Sequence, residues 1–132
     1  YRCVISIAGV SDLPQMLSTE KSKYGRDHWV LSYLENIIGD PNSQREKLKA
    51  ISPINFADSF QAPVLLIHGK DDTVVPIKQS KAMYKALQKA DKLVEFVTLK
   101  GEDHWLSGSE TRLALLKAVD KFLDQHNPAE TL

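Results

Sequence analysis

Hydrophobic positions in this chain follow two patterns, short apolar runs and longer stretches with helical spacing. The apolar runs at residues 3–8, 64–67 and 94–99 have the length of strands. The central run contains no polar residue, which is typical of a strand covered on both faces of a parallel sheet. Apolar residues at helical spacing predict helices over 13–22, 28–38, 77–89 and 110–126. The turn at 40–43 indicates the start of a further, charged helix over 44–50. The segment 54–62 fits neither pattern, so we expect it to be irregular.

Strands that alternate with helices in this order predict an α/β fold, with a parallel sheet between flanking helices in three layers. At 132 residues and 42% hydrophobic content, the chain has the size of one domain and can bury a core. We therefore expect residues 1–132 to form a single domain, in which the polar, proline-broken segment 127–132 is a flexible tail.

The first predicted strand begins at residue 3 without a cap or a polar lead-in. Natural termini are usually polar and exposed, so this start predicts that the domain is a partial one, cut from something larger. Strand 3–8 would then have an unpaired edge, which is a template for pairing with another chain. We expect self-association through this edge, with Met16, Leu17 or Trp29 in the contact.

Composition argues against several classes of partner. Seventeen basic and seventeen acidic residues cancel, so no nucleic-acid partner is expected. No apolar run approaches the roughly eighteen residues that span a bilayer, and no membrane partner is expected. The single cysteine, Cys3, cannot form an internal disulfide. The sequence therefore does not indicate whether the protein is cytoplasmic or is periplasmic or secreted.

Candidate chemistry lies in the turns that follow the second and third strands. Asp71 and Asp72 follow the strand 64–67, and His104 follows the strand 94–99. Open α/β sheets bind ligands at the carboxyl ends of their strands, where these turns meet. An acid followed by a histidine also matches the order Ser, Asp, His of α/β-hydrolases. The pattern predicts the last two members of a catalytic triad, and an Asp that merely caps its own turn is the alternative.

No serine of the chain fits the nucleophile. The Gly9-Val10-Ser11 run begins like the Gly-x-Ser-x-Gly elbow, but position 13 is Leu where the tight turn needs Gly. Ser107 and Ser109, on either side of Gly108, fail the same test. We expect the nucleophile to lie in a segment that precedes Tyr1.

Metal binding is the competing interpretation of the same turns. His68, Asp71, Asp72, Asp103 and His104 carry suitable ligand atoms, but their spacing matches none of the compact ligand motifs. We therefore expect no metal and no other cofactor. The remaining histidines, His28, His68 and His126, are expected to be structural or surface residues.

The chain also resembles a known family, the prolyl oligopeptidase group of serine peptidases, which includes dipeptidyl and acylaminoacyl peptidases. The resemblance covers nearly the whole chain and rests on the following residues: Ser52-Pro53-Ile54-Asn55, Pro63-Val64-Leu65-Leu66-Ile67-His68-Gly69, Asp72 with Val75-Pro76, Gln79-Ser80 and Gly101-Glu102-Asp103-His104. It implies that the chain is the C-terminal portion of an α/β-hydrolase fold. It also implies that Asp72 rather than Asp71 is the triad acid and that His104 is the triad base.

The same resemblance implies a substrate and a pocket. The substrate would be a peptide or acyl-peptide, and Val10, Leu13, Met16 and Val75 would line the pocket for a modest apolar side chain, such as Pro or Ala, before the scissile bond. Leu13 and Met16 could equally be core residues of a helix. A carboxylesterase or dienelactone-hydrolase-like enzyme and a non-catalytic interaction module are the alternative functions.

Overall fold

The computed structural model describes residues 1–129. Three strands form one sheet: β1 (Val4–Ile7), β2 (Val64–Gly69) and β3 (Val94–Leu99). Five α-helices accompany them: α1 (Leu13–Tyr24), α2 (Trp29–Ile38), α3 (Arg45–Ala50), α4 (Lys78–Lys89) and α5 (Ser109–His126). A 3-10 segment (Pro53–Ser59) precedes β2. The alternation of strands and helices confirms the predicted α/β class.

The sheet is parallel, in the order β1-β2-β3. All six residues of β2 are buried, as its unbroken apolar sequence predicts for a central strand. β2 runs two residues beyond the predicted end because His68 and Gly69 continue the ladder opposite Thr98 and Leu99. The carboxyl ends of β2 and β3 therefore lie side by side, and so do the turns that follow them.

Two apolar cores cover the two faces of the sheet. Because side chains alternate along a strand, Val64 and Leu66 pack with Met83 and Leu87 of α4 on one face. On the other face are Leu65, Ile67, Leu99, Leu115 and Phe122, the last two from α5. Truncating a buried residue such as Phe122 to Ala costs about 3–5 kcal/mol. These cores fix α4 and α5 against the sheet, and with them the turns that connect β2 to α4 and β3 to α5.

The chain between β1 and β2 forms a helical layer of α1, α2 and α3. Asp12 begins α1 by accepting a hydrogen bond from the Gln15 amide at 2.9 Å, and Pro14 follows in the first turn. Ser52 joins this layer together, since its hydroxyl accepts from the Leu13 amide at 3.1 Å and donates to the Leu48 carbonyl at 2.6 Å. The layer is thereby held against the loop that leaves β1.

Two predictions about this part of the chain hold only in part. Of the predicted irregular segment 54–62, residues 60–62 are irregular, but 54–59 belong to a 3-10 segment that Pro53 opens and whose Ile54 amide donates to the Ser11 carbonyl at 3.0 Å. Met16 and Leu17 are 6% and 0% exposed, so in this fold neither side chain presents a surface to another chain. Trp29, at 70%, is exposed. Self-association through the β1 edge stays a prediction.

Residues 127–129 follow α5 without helical structure, and the rest of the predicted tail, 130–132, lies outside the described residues. Among residues 1–129 no helix has the length and apolar character needed to cross a membrane.

Candidate active site

The turns after β2 and β3 are joined by backbone contacts. The Lys70 amide donates to the Leu99 carbonyl at 2.8 Å, and the Asp71 amide donates to the Glu102 carbonyl at 3.0 Å. Gly69 permits this close approach, because a Cβ there would lie 2.5 Å from the Glu102 carbonyl oxygen and 2.9 Å from that of Asp103. The position of one turn therefore depends directly on the other.

Asp72 is held by its own turn, with its side chain inaccessible to solvent. Its Oδ1 accepts hydrogen bonds from the backbone amides of Val74 at 2.9 Å and Val75 at 2.8 Å. An Asp that bonds amides two and three residues ahead is a common way to close a turn. The Asp72 turn thus occupies one carboxylate oxygen and leaves Oδ2 facing away from these amides.

His104 meets that second oxygen. Its Nδ1 lies 2.8 Å from Asp72 Oδ2, and the ring packs edge-on against Trp105 at 5.3 Å between centroids. The His104 side chain is 25% exposed, and its Nε2 makes no hydrogen bond within residues 1–129. Asp72 therefore contacts His104, and Asp71 is exposed. That Asp72 and His104 are triad members stays a prediction.

The turn that carries His104 is shaped by two further carboxylates. Asp103 Oδ1 accepts from the Trp105 and Ser107 amides at 2.9 and 3.2 Å. Glu102 is only 1% exposed, and its Oε1 accepts from the Asp103 amide at 3.1 Å and the Gly108 amide at 3.3 Å. Its Oε2 accepts from the Thr111 hydroxyl, at the start of α5. Glu102 thereby ties the His104 turn to a helix.

The charge of Asp72 follows from its partners. Burial raises the pKa of Asp72, but hydrogen bonds from His104 and from the Val75 and Val74 amides lower it by more, so the pKa lies below its ordinary value. Asp72 is consequently an anion near neutral pH. A carboxylate facing Nδ1 keeps the proton of a neutral His104 ring on that nitrogen, which leaves Nε2 as the basic atom. This pair can act as a general base at Nε2.

Comparison with known proteins decides the family. The family model described as the prolyl oligopeptidase family matches residues 1–129. The chain belongs to the prolyl oligopeptidase family. Dipeptidyl aminopeptidase BIII of Pseudoxanthomonas mexicana is 29% identical over 130 residues, which cover 95% of this chain and 18% of that relative.

Solved structures agree with the family assignment. A puromycin-hydrolyzing peptidase of Mycobacterium tuberculosis matches 97% of this chain and 19% of its own, at 29% identity and a TM-score of 0.82. The uncomplexed acylaminoacyl peptidase of Pyrococcus horikoshii matches 99% of this chain and 21% of its own, at 25% identity and a TM-score of 0.84. The chain thus spans about a fifth of the length of these prolyl oligopeptidase relatives, and it has the α/β-hydrolase fold of that family.

Of the four predicted pocket residues, only Val10 lines the apolar groove of about 190 Å³ beside β1. Leu13 is half-buried, and Met16 and Val75 are 6% and 7% exposed. Val75 lies beside the acid, since its amide binds Asp72. A common substrate pocket for the four stays a prediction.

Two of the serines that were rejected as nucleophiles, Ser11 and Ser107, have structural partners. The Ser11 hydroxyl donates to the Gln79 carbonyl at 2.7 Å, and the Ser107 hydroxyl donates to Asp103 Oδ2 at 2.7 Å. Within residues 1–129, moreover, no group of three His, Cys, Asp or Glu side chains is arranged to hold a metal ion.

Sequence reasoning gave no role in the site to two buried residues near it, Gln79 and His68, although it expected His68 to be a structural or surface residue. Gln79 accepts from the Ser11 and Asp12 amides at 2.9 and 2.8 Å, and so ties the loop after β1 to α4. His68 is fully buried at the end of β2, next to the Asp72 turn. Only its position in a strand that is otherwise apolar signals that it has specific partners.

Proposed function

We propose that this chain supplies the acid and the base of a Ser-His-Asp triad in a serine peptidase. The observation that carries the proposal is the contact of 2.8 Å between Asp72 Oδ2 and His104 Nδ1, with His104 Nε2 free of other hydrogen bonds within residues 1–129. In such a triad the acid orients the imidazole and the opposite ring nitrogen exchanges the proton. The two residues have the geometry for these roles.

The proposed reaction divides the work between the two side chains. His104 Nε2 accepts the proton of the attacking serine hydroxyl and later donates it to the leaving amine. Asp72 accepts the Nδ1 hydrogen and stabilises the imidazolium that forms between these transfers. In this proposal the nucleophilic serine and the oxyanion hole belong to a segment of the polypeptide that precedes residue 1. The relatives, of which this chain spans about a fifth, support such a longer protein.

Peptides or acyl-peptides are the substrates that the comparisons favour, because the relatives are named as a dipeptidyl aminopeptidase, an acylaminoacyl peptidase and a puromycin-hydrolyzing peptidase. For the residue before the scissile bond we propose a modest apolar side chain such as Pro or Ala, bounded by Val10, Leu13, Met16 and Val75. Of these four, Val75 contacts the proposed acid, since its amide donates to Asp72 Oδ1 at 2.8 Å.

The test uses the full-length gene product with aminoacyl, dipeptidyl and acylaminoacyl anilides and with nitrophenyl esters. We expect anilide hydrolysis, labelling by a fluorophosphonate, and a loss of roughly 10⁴-fold or more in kcat on His104→Ala. His126→Ala is the matched control, since His126 ends α5 and packs on Phe122. We expect that control to retain wild-type kcat.

The alternatives predict different results in the same assays. Turnover of esters without anilides would identify a carboxylesterase or dienelactone-hydrolase-like enzyme, since Asp and His serve both reactions. A gene product that neither turns over a substrate nor reacts with the fluorophosphonate would identify a non-catalytic interaction module. Full activity of His104→Ala would show that the assigned base is wrong.

A further inference from the structure

His68 makes specific contacts that the proposed reaction does not use. The residue is 0% exposed, and both ring nitrogens have partners. Nδ1 lies 2.7 Å from the Ser80 hydroxyl, and Nε2 lies 2.8 Å from the Val75 carbonyl oxygen. The same Nε2 is 3.3 Å from Asp72 Oδ2. A second imidazole, fully buried, thus lies next to the proposed acid and near the same oxygen that His104 contacts.

The partners define which nitrogen of His68 donates. A carbonyl oxygen can only accept, so the contact with Val75 requires a hydrogen on Nε2. In the neutral ring Nδ1 is then an acceptor, and the Ser80 hydroxyl donates to it. The Nε2 hydrogen consequently points toward the Val75 carbonyl and the edge of the Asp72 carboxylate.

Val75 connects His68 to the acid through its backbone. Its amide donates to Asp72 Oδ1 at 2.8 Å, and its carbonyl accepts from His68 Nε2. Losing the His68 donor would leave a buried carbonyl unpaired unless the turn moves, and an unpaired buried carbonyl is unfavourable. Movement of the turn would displace the amide that orients Asp72.

Ser80 connects His68 to a rigid element. It lies in the first turn of α4 and is 2% exposed. Its neighbour Gln79 fixes the same turn of α4 to the loop after β1. His68 therefore has a fixed support on the helix side and a donor on the side of the Asp72 turn.

We propose that His68 is a positioning residue for Asp72, which it orients through the Val75 carbonyl and through the N–H adjacent to Asp72 Oδ2. The inference rests on the proposed function, because it assigns His68 to the triad that Asp72 and His104 would form. His68 touches neither substrate nor the reacting atoms. Its effect is on the alignment of the acid.

A pair of amide substitutions tests this role in the full-length gene product. The amide nitrogen of Gln in His68→Gln reaches the place of Nε2 and can donate to Val75, whereas Asn in His68→Asn reaches only the place of Nδ1. We expect His68→Gln to keep kcat within about fivefold and His68→Asn to lose about 10–100-fold in kcat, because small misplacements of a catalytic group have effects of this size. The KM for an anilide substrate should stay unchanged in both variants.

Titration of active sites with a fluorophosphonate corrects kcat for any unfolded fraction, and His126→Asn controls for loss of a histidine elsewhere. Equal losses in His68→Gln and His68→Asn, an effect on KM alone, or a loss that vanishes after titration would each overturn the positioning role. Wild-type kcat in His68→Asn together with an inactive His104→Ala would reject this inference and leave the triad intact. An active His104→Ala would reject the proposed function itself.

Ser80→Ala provides a second variant if the His68 substitutions do not fold. It removes the donor to Nδ1 and frees the ring to turn, while the imidazole remains in the core. We expect a severalfold lower kcat with an unchanged KM, and an unaltered kcat would overturn the inference.

Discussion

The turn after β2 and the turn after β3 each fold around a buried carboxylate, and the two carboxylates differ in what remains for other partners. Asp72 uses Oδ1 for the amides of its own turn, and Oδ2 binds His104. Glu102 instead uses both oxygens within its own segment, for the Asp103 and Gly108 amides and the Thr111 hydroxyl. Asp72 therefore contacts a residue of the turn after β3, whereas Glu102 stabilises that same turn from within.

This difference shows that burial and a lowered pKa do not by themselves identify a catalytic acid. Hydrogen bonding from Thr111 and from the Gly108 and Asp103 amides lowers the pKa of Glu102, although burial opposes it. The pKa of Asp72 is lowered as well. What distinguishes Asp72 is an oxygen that no group of its own turn occupies and that contacts His104 Nδ1, while His104 Nε2 makes no hydrogen bond to any residue up to 129.

The largest effect is expected from Asp72→Asn. An amide in this place can favour the wrong tautomer of His104, and the analogous change in a well-studied serine protease lowers kcat by roughly 10⁴-fold. We expect a loss of that order in the full-length gene product, measured as kcat on an anilide substrate. Asp71→Asn is the matched control, because that neighbouring carboxylate is exposed and only its backbone joins the turns. A comparable loss of kcat in Asp71→Asn would contradict the assignment of Asp72 as the acid.

Gly69→Ala tests whether the two turns must approach closely. The new methyl group would meet two backbone carbonyls, and overpacking of this kind costs about 1–3 kcal/mol. Separating the turns should also lengthen the contact between Asp72 and His104, so we expect kcat to fall about 10–100-fold. Gly9→Ala serves as the comparison, since its methyl group would meet the movable Ser6 hydroxyl. Equal effects of the two substitutions on kcat would contradict the account.

Glu102→Gln should separate stability from chemistry. A carboxylate only accepts hydrogen bonds, whereas the amide that replaces it has one accepting oxygen and one donating nitrogen. At least one of the three hydrogen bonds to Glu102 is therefore lost or weakened. We expect a lower urea midpoint of unfolding, with kcat per titrated active site within about threefold of wild type, because Glu102 does not contact the His104 ring. A loss of kcat as large as that of Asp72→Asn would show that the two carboxylates do not differ in role.

The smallest expected effect is the acid dependence of stability. The folded-state pKa of Asp72 lies below the unfolded value of about 3.9, so its contribution is fully present above that pH and is lost as pH falls through the folded pKa. Asp72→Asn lacks this contribution. Between pH of about 5 and about 2.5, the free energy of unfolding should therefore fall more for wild type than for Asp72→Asn. Identical pH dependence would contradict the lowered pKa.

The sheet and the proposed catalytic pair were accessible from the sequence because each depends on a local pattern. An unbroken apolar run placed β2, and a charged turn after it placed Asp72 at the edge of the sheet. The choice of Asp72 over Asp71 came from resemblance, and the hydrogen bonds to the Val74 and Val75 amides supply its physical reason.

The remaining contacts join residues far apart in sequence, which no local pattern encodes. The Ser11 amide and Gln79 are 68 positions apart, and the burial of Met16 depends on helices that pack across it. His68 was expected to be structural or on the surface, and its link to Asp72 depends on the path of the Val75 backbone. Such arrangements follow from tertiary packing, and spacing along the chain does not reveal them.

A crystal structure of the full-length gene product with a peptidyl phosphonate would test the central claim most directly. The account predicts a serine covalently bound to phosphorus, with His104 Nε2 within hydrogen-bond distance of that serine or of the phosphonate and Asp72 on Nδ1. A modified serine whose adjacent imidazole is not His104, or an adduct that leaves Asp72 and His104 away from the reagent, would contradict the account.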